Sequence, residues 1–209
     1  MGCDLMPVCY IFCAGEMDYP VEKPREGDYV IAADGGYRHT QALGITPDVI
    51  LGDFDSLGFV PEGAEVFPVE NDDTDAMLAV RHGLAKGYDQ FSIYGGMEGQ
   101  RLDHTIANLQ TLLYLEEQGA LGYLFGKRQI ATVVSNDILH IPTHQGTVSV
   151  FAMGGDAVVT IKGLQYEGEN ISLSPGFPLG VSNHGTGKEA TITVTEGTIL
   201  VIYDRKEDL

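Results

Sequence analysis

Through the first half of the chain, short apolar runs, each stopped by glycine or acidic residues, alternate with amphipathic stretches. Val8–Ala14, halted by Gly15, and Tyr29–Ala33, ending in Asp34-Gly35-Gly36, have the length and composition of strands. Tyr37–Leu43 predicts a short helix closed by Gly44. Val49–Leu51 is a further buried strand that runs through Gly52 into Asp53 and Asp55, and Glu65–Val69 is another, with Pro68 inside it. Asn71-Asp72-Asp73-Thr74-Asp75 then starts a helix over Ala76–Ala85, capped by Asp73 or Thr74. In it Met77, Val80 and Leu84 recur at helical spacing, Arg81 falls on the polar side and Gly87 marks the end. Phe91–Tyr94 is a strand ending in Gly95-Gly96. Arg101-Leu102-Asp103-His104 opens a helix with an apolar face of Ile106, Leu109, Leu112 and Leu113, and Tyr123–Phe125 is the strand after it. Strands alternating with helices predict a mostly parallel, Rossmann-like sheet with flanking helices.

Beyond Gly126 the helical period disappears. Ala131–Val134, Ile138–Ile141, Val148–Ala152, Val158–Lys162, Asn170–Leu173, Thr191–Thr195 and Ile199–Tyr203 are short strands separated by turn residues, some strictly alternating. They predict an antiparallel β-sandwich of about 80 residues. The fold class is therefore α/β followed by a β-sandwich, with domains at 1–126 and 127–209. Val181–Lys188, the most polar long interruption among these strands, reads as a surface loop where that domain would touch a ligand.

Composition changes this picture in one respect. A chain of 209 residues with 44% apolar and 20% charged residues is an ordinary globular protein, but a formal charge of −18 is not ordinary. It argues against nucleic acid as a partner, since phosphate backbones are bound through Lys and Arg, and it favours cations, metal–nucleotide complexes or a cationic small molecule. Three cysteines (Cys3, Cys9 and Cys13) cluster near the start and offer no disulfide framework. No run is long enough to span a membrane and the first residues lack a basic signal region, so the expected location is the cytoplasm.

Against that background the carboxylates stand out. Asp34, Asp53, Asp55 and Asp75 each follow a predicted strand of one sheet, so all four can reach the same rim. Any one of them is as readily a turn or cap residue; four at matching strand ends repel one another unless a cation sits between them. Hard oxygen ligands without His or Cys select Mg²⁺ over zinc. Gly35-Gly36 and Gly95-Gly96, placed between strands and helices, leave room for phosphate oxygens at backbone N–H groups. The sequence holds no G-x-x-x-x-G-K-[ST], so a nucleotide would be held through metal, with Arg101 the basic residue nearby. Asp103 and His104 are adjacent on a helix and do not face each other, which argues against a dyad, and a histidine in this position is more often a helix N-terminal packing residue.

Taken in order, Asp34-Gly35-Gly36, Pro47-Asp48, Gly52-Asp53-Phe54-Asp55-Ser56, Asp72-Asp73-Thr74-Asp75, Gly95-Gly96 with Gly99, Arg101-Leu102-Asp103-His104 with Asn108, Gly163-Leu164-Gln165-Tyr166, Ser182-Asn183 and Gly187-Lys188-Glu189-Ala190 closely resemble the bacterial thiamine pyrophosphokinases. The resemblance implies an ATP- and Mg²⁺-binding catalytic domain, a thiamine-binding β-sandwich, and a homodimer with active sites between subunits. The reaction implied is transfer of the terminal pyrophosphate of ATP to the thiamine hydroxyl, releasing AMP. By the family pattern Asp34, Asp53, Asp55 and Asp75 handle metal and phosphate. Gly35, Gly36, Ser56, Thr74, Arg101 and His104 lie along the nucleotide, Asp103 lies beside nucleotide and acceptor, and Asp75, Ser182 and Asn183 meet thiamine. Thiamine's thiazolium cation suits an acidic site. Either Asp75 or Asp103 accepts the hydroxyl proton. Two other readings stand beside this one: a pyrophosphokinase acting on another alcohol, such as a hydroxymethylpterin, and a non-catalytic thiamine or nucleotide sensor.

Overall fold

The computed structural model describes residues 6–66, 73–99 and 101–205, and the chain divides into two compact units, Met1–Lys127 and Arg128–Leu209. The first unit carries β1 (Cys9–Phe12), β2 (Tyr29–Ala33), α1 (Gly36–Leu43), β3 (Val49–Gly52), β4 (Glu65–Val66), α2 (Asp75–Ala85), β5 (Gln90–Tyr94), α3 (Leu102–Glu117) and β6 (Leu121–Phe125). All its strand pairs are parallel, in the spatial order β6-β5-β1-β2-β3-β4. The register sets Ile11 against both Ile31 and Ile93. The inner strands β1, β2 and β5 are buried along nearly their whole length, as a parallel sheet covered on two faces requires. On one face Tyr10, Phe12, Val30 and Tyr94 pack with Tyr19 from the β1–β2 connection. On the other, the small residues of α2 (Ala76, Ala79, Val80, Gly83) let that helix approach Cys9 and Phe91.

Parallel winding brings the carboxyl ends of β1, β2, β3 and β5 to one rim. The chain winds outward from β1 through β2 and β3 to β4, then returns to the other side of β1 for β5 and β6. That reversal opens a crevice between the ends of β1 and β5, where open α/β sheets bind their ligands.

The second unit holds β7 (Gln129–Ser135), β8 (Ile138–His144), β9 (Thr147–Lys162), β10 (Gly168–Leu173), β11 (Gly180–His184) and β12 (Lys188–Asp204), and its pairs are antiparallel. β9 and β12 pair along most of their length and bend midway, at Gly154-Gly155 in β9 and at the register shifts around Glu196 in β12. One half of the pair carries β10 and β8 on its edges, and the other half carries β11 and β7. The result is a sandwich in which two strands belong to both layers. Its core alternates inward along each strand: Val148 and Val150, then Val159 and Ile161, facing Ile192 and Val194, then Ile199 and Val201.

The expected elements change at several points. Val148–Ala152 with Val158–Lys162, and Thr191–Thr195 with Ile199–Tyr203, are single bent strands rather than pairs. The polar stretch expected as a loop at Val181–Lys188 is in part the strand β11, antiparallel to β9. Its inward position is taken by buried Asn183, whose Oδ1 accepts from Tyr166 N at 2.9 Å and whose Nδ2 donates to Tyr166 O at 2.7 Å. In α3 the buried face is Asn108, Thr111, Leu112 and Leu115, and Ile106, expected on it, is 52% exposed. Asn108 turns inward to donate to Gly96 O at 2.8 Å, and Ile106 lies two residues away, about 200° round the helix. Of the strand expected at Glu65–Val69, Glu65–Val66 is formed; its remainder, with Asn71 and Asp72, lies outside the described residues.

Candidate active site

The rim of the first unit holds a cleft of about 570 Å³. Its walls come from the loop after β1 (Cys13, Gly15, Glu16), from Asp34, Asp53, Asp55 and Ser56, from the start of α2 (Thr74, Asp75), from Gly95, Gly96, Glu98 and Arg101, and from His104 and Asn108 in α3.

Each acidic side chain reaches the cleft by a local device. Asp34 follows β2 with φ +46°, a left-handed conformation that aspartate tolerates better than most residues, and its N–H donates to Leu51 O at 2.8 Å. Beside it Gly52 has φ +142°, and a side chain there would come within 3.1 Å of Asp34 N, Cα and Cβ, so the ends of β2 and β3 are pressed together where only glycine fits. After Asp53, Phe54 is also left-handed (φ +61°) with its ring buried, and Asp55 N donates back to Asp53 Oδ1 at 3.1 Å. Thr74 caps α2 by accepting from Met77 N at 3.2 Å, which places Asp75 in the first helical turn.

Asp34, Asp53 and Asp75 each offer an oxygen within 4.8 Å of the others. At that separation two ionised carboxylates repel by on the order of 3 kcal/mol at an effective dielectric near 20. Burial, together with the charges of Asp34, Asp53 and Asp55, pushes the Asp75 carboxyl up to about 6. Asp34 is 4% exposed, and its Oδ1 is buried with no hydrogen-bond partner among the described residues. A buried, unpartnered carboxylate oxygen facing two more carboxylates fits a hard divalent cation, and the donor set, oxygen only, fits Mg²⁺.

The other expected site residues divide. Asp55 and Ser56 line the cleft from its exposed side and stand outside the three-oxygen cluster, although the Asp55 charge contributes to raising Asp75. Thr74, Arg101 and His104 line the cleft. Asp103 is exposed and not among the lining residues; its carboxylate takes hydrogen bonds from Arg101 Nη2 at 2.7 Å and Nε at 3.0 Å, which hold it down to about 2. Gly35 and Gly36 are also off the wall: a side chain on Gly36 would collide with Phe12 O, so here glycine serves helix–strand packing. Ser182 and Asn183 lie on β11 in the second unit, Ser182 exposed at φ +62° and Asn183 occupied by the Tyr166 backbone.

Sequence reasoning missed Cys13, Gly15 and Glu16, and gave no role to Glu98 or Asn108. The available signal was the end of β1 at the switch point, where a wall is expected whatever residues follow. Cys13 is buried there, and its thiol is pushed up to about 12, chiefly by burial and secondarily by Asp75, so it is a neutral wall group.

The family model described as the catalytic domain of thiamin pyrophosphokinase matches residues 24–121, and that described as its vitamin B1 binding domain matches residues 136–199. Thiamin pyrophosphokinase 1 of Caenorhabditis elegans is 25% identical over 193 residues, covering 83% of this chain and 78% of its own length. The crystal structure of thiamine pyrophosphokinase from Bacillus subtilis superposes with a TM-score of 0.82 at 23% identity, covering 97% of this chain and 100% of its own. Thiamin pyrophosphokinase from Candida albicans does so with a TM-score of 0.75 at 14% identity, covering 96% and 90%. The two structural likenesses are of fold; with both domain models matched in order along its length, the chain belongs to the thiamin pyrophosphokinase family.

Proposed function

We propose that the chain transfers the pyrophosphoryl group of ATP to the hydroxyl of thiamine, giving thiamine diphosphate and AMP, with Mg²⁺ held by Asp34, Asp53 and Asp75. The observation that carries this is the convergence of three carboxylate oxygens within 4.8 Å at the strand-end cleft, one side chain almost fully buried. Bound there, Mg²⁺ would neutralise phosphate charge, and the rest of the task is positioning. Asp55 and Ser56 stand on the outer side of the cluster, where they meet the polyphosphate, while Arg101, just before α3, and His104, in its first turn, flank it and Gly95-Gly96 bring backbone close to it. In the reaction the thiamine oxygen forms a bond to the β-phosphorus, the bond from that phosphorus to the α–β bridging oxygen breaks, and AMP leaves. The hydroxyl proton passes to a carboxylate. Asp103 is tied up by Arg101 and lies off the cleft wall, so the reading assigns that role to Asp75, which lines the cleft.

The match of residues 136–199 to a vitamin B1 binding domain favours thiamine over a hydroxymethylpterin as acceptor. A sensor has no use for three converging metal-competent acids. Within this reading thiamine contacts fall to Ser182 and Asn183, Ser182 supplying the free hydroxyl and Asn183 fixing the strand that presents it. The working form is taken to be a cytoplasmic homodimer.

Purified chain with Mg²⁺, ATP and thiamine is expected to yield thiamine diphosphate and AMP in equal amounts by chromatography. ADP as the nucleotide product, or binding with no product, would overturn the reading. Asp53→Asn is expected to cut turnover by more than about 100-fold and Asp55→Asn by about tenfold, as a cluster ligand and an outer residue should differ.

A further inference from the structure

Arg38 sits in the first turns of α1, exposed and off the cleft wall. Its Nη2 donates to two carbonyls, Ser56 O at 3.2 Å and Leu57 O at 3.1 Å. Both carbonyls belong to the turn that begins at Asp53. The backbone of Arg38 belongs to the same helix start that rests on the Asp34 turn, with Tyr37 N donating to Asp34 O and Arg38 N donating to Gly35 O, each at 3.1 Å. One side chain therefore fastens the turn bearing Asp53 to the turn bearing Asp34.

The Asp53 turn needs such a tie. Phe54 holds a left-handed conformation that bulky residues disfavour, and the turn's own backbone bonds are long, Leu57 N to Phe54 O at 3.3 Å and Gly58 N to Phe54 O at 3.2 Å. A side chain that holds a strained turn against its drift sets where the flanking carboxylate points. We propose that Arg38 is a positioning residue for the carboxylate cluster, cross-linking the two acidic turns so that Asp53 and Asp34 present oxygens to one divalent cation. This rests on the metal reading above.

The sign of the effect separates positioning from simple charge. A guanidinium near a cation site repels the cation, so on electrostatics alone its removal would tighten metal binding. As a positioning residue, its removal loosens it. The test is titration of the full chain with Mn²⁺ near neutral pH, reading free ion by electron paramagnetic resonance, alongside urea unfolding. Arg38→Met is expected to weaken Mn²⁺ binding about tenfold with the urea midpoint little changed. Arg38→Lys, whose ammonium can serve both carbonyls on a shorter stem, is expected to recover part of the loss. His39→Leu frees only the neighbouring contact from His39 Nε2 to Gly15 O (2.8 Å) and is expected to bind Mn²⁺ like the unaltered chain. Equal or tighter binding by Arg38→Met, or an equal loss in His39→Leu, would overturn the assignment. No Mn²⁺ uptake by the unaltered chain would instead overturn the metal reading itself.

Discussion

Asp75 begins a helix, lies half-buried and faces the charges of Asp34, Asp53 and Asp55, so without metal it holds its proton up to about pH 6, against 3.8 for a free aspartate. Between those values the folded chain binds a proton that the unfolded chain has released. Stability from this group is therefore full below the unfolded value and is lost as pH rises through about 6. The loss amounts to about 1–2 kcal/mol once solvent screening of a partly exposed group is allowed for. Calorimetry of metal-free protein should show a melting temperature that declines across this interval more steeply than in Asp75→Asn. Mg²⁺ should restore more of it above the interval than below. Equal slopes in the two proteins would show that Asp75 does not carry the burial and repulsion described. Asp34, Asp53 and Asp55 were legible because they stand where a run of buried apolar residues stops, and Asp75 because it follows the threonine that caps a helix. Arg38 was not, because nothing in its spacing reveals that it reaches two carbonyls eighteen and nineteen residues away.

At the scale of elements, the cap on α2 separates structure from site. Thr74→Ala removes the oxygen that receives Met77 N and should cost about 1 kcal/mol in urea unfolding, while Thr74→Ser should keep the cap. If Thr74→Ala leaves the midpoint unchanged, the helix does not depend on that hydrogen bond. The parallel strands could be read from sequence because burial on both faces writes itself as an unbroken apolar run, as in Cys9–Phe12 and Tyr29–Ala33. The second unit was read less well for two physical reasons. Bends at Gly154-Gly155 and Glu196-Gly197 carry the residues of a turn, yet the ladder continues through them with a shifted register. β11 hid because its inward residue is Asn183, whose amide bonds supply locally what a buried apolar side chain would otherwise supply. In α3 the same kind of polar inward residue, Asn108, displaced the face drawn through Ile106.

For the molecule as a whole the net charge of −18 matters most. Like charges in excess oppose the compact state and are screened by salt, with a Debye length of about 10 Å at 0.1 M. Raising NaCl from about 20 to about 200 mM should therefore lift the melting temperature by roughly a few degrees. A melting temperature that fell would mean that the twelve basic residues are placed to gain more from attraction than the excess acids lose. No helix among the described residues is long and apolar enough to cross a membrane. The bent strands of the second unit carry a different consequence. Because β9 and β12 run through both layers, neither layer owns its hydrogen bonds, and peeling one edge unzips the interior from two sides at once. Such a unit has no half to fall back on, so it is expected to unfold in urea as one cooperative step.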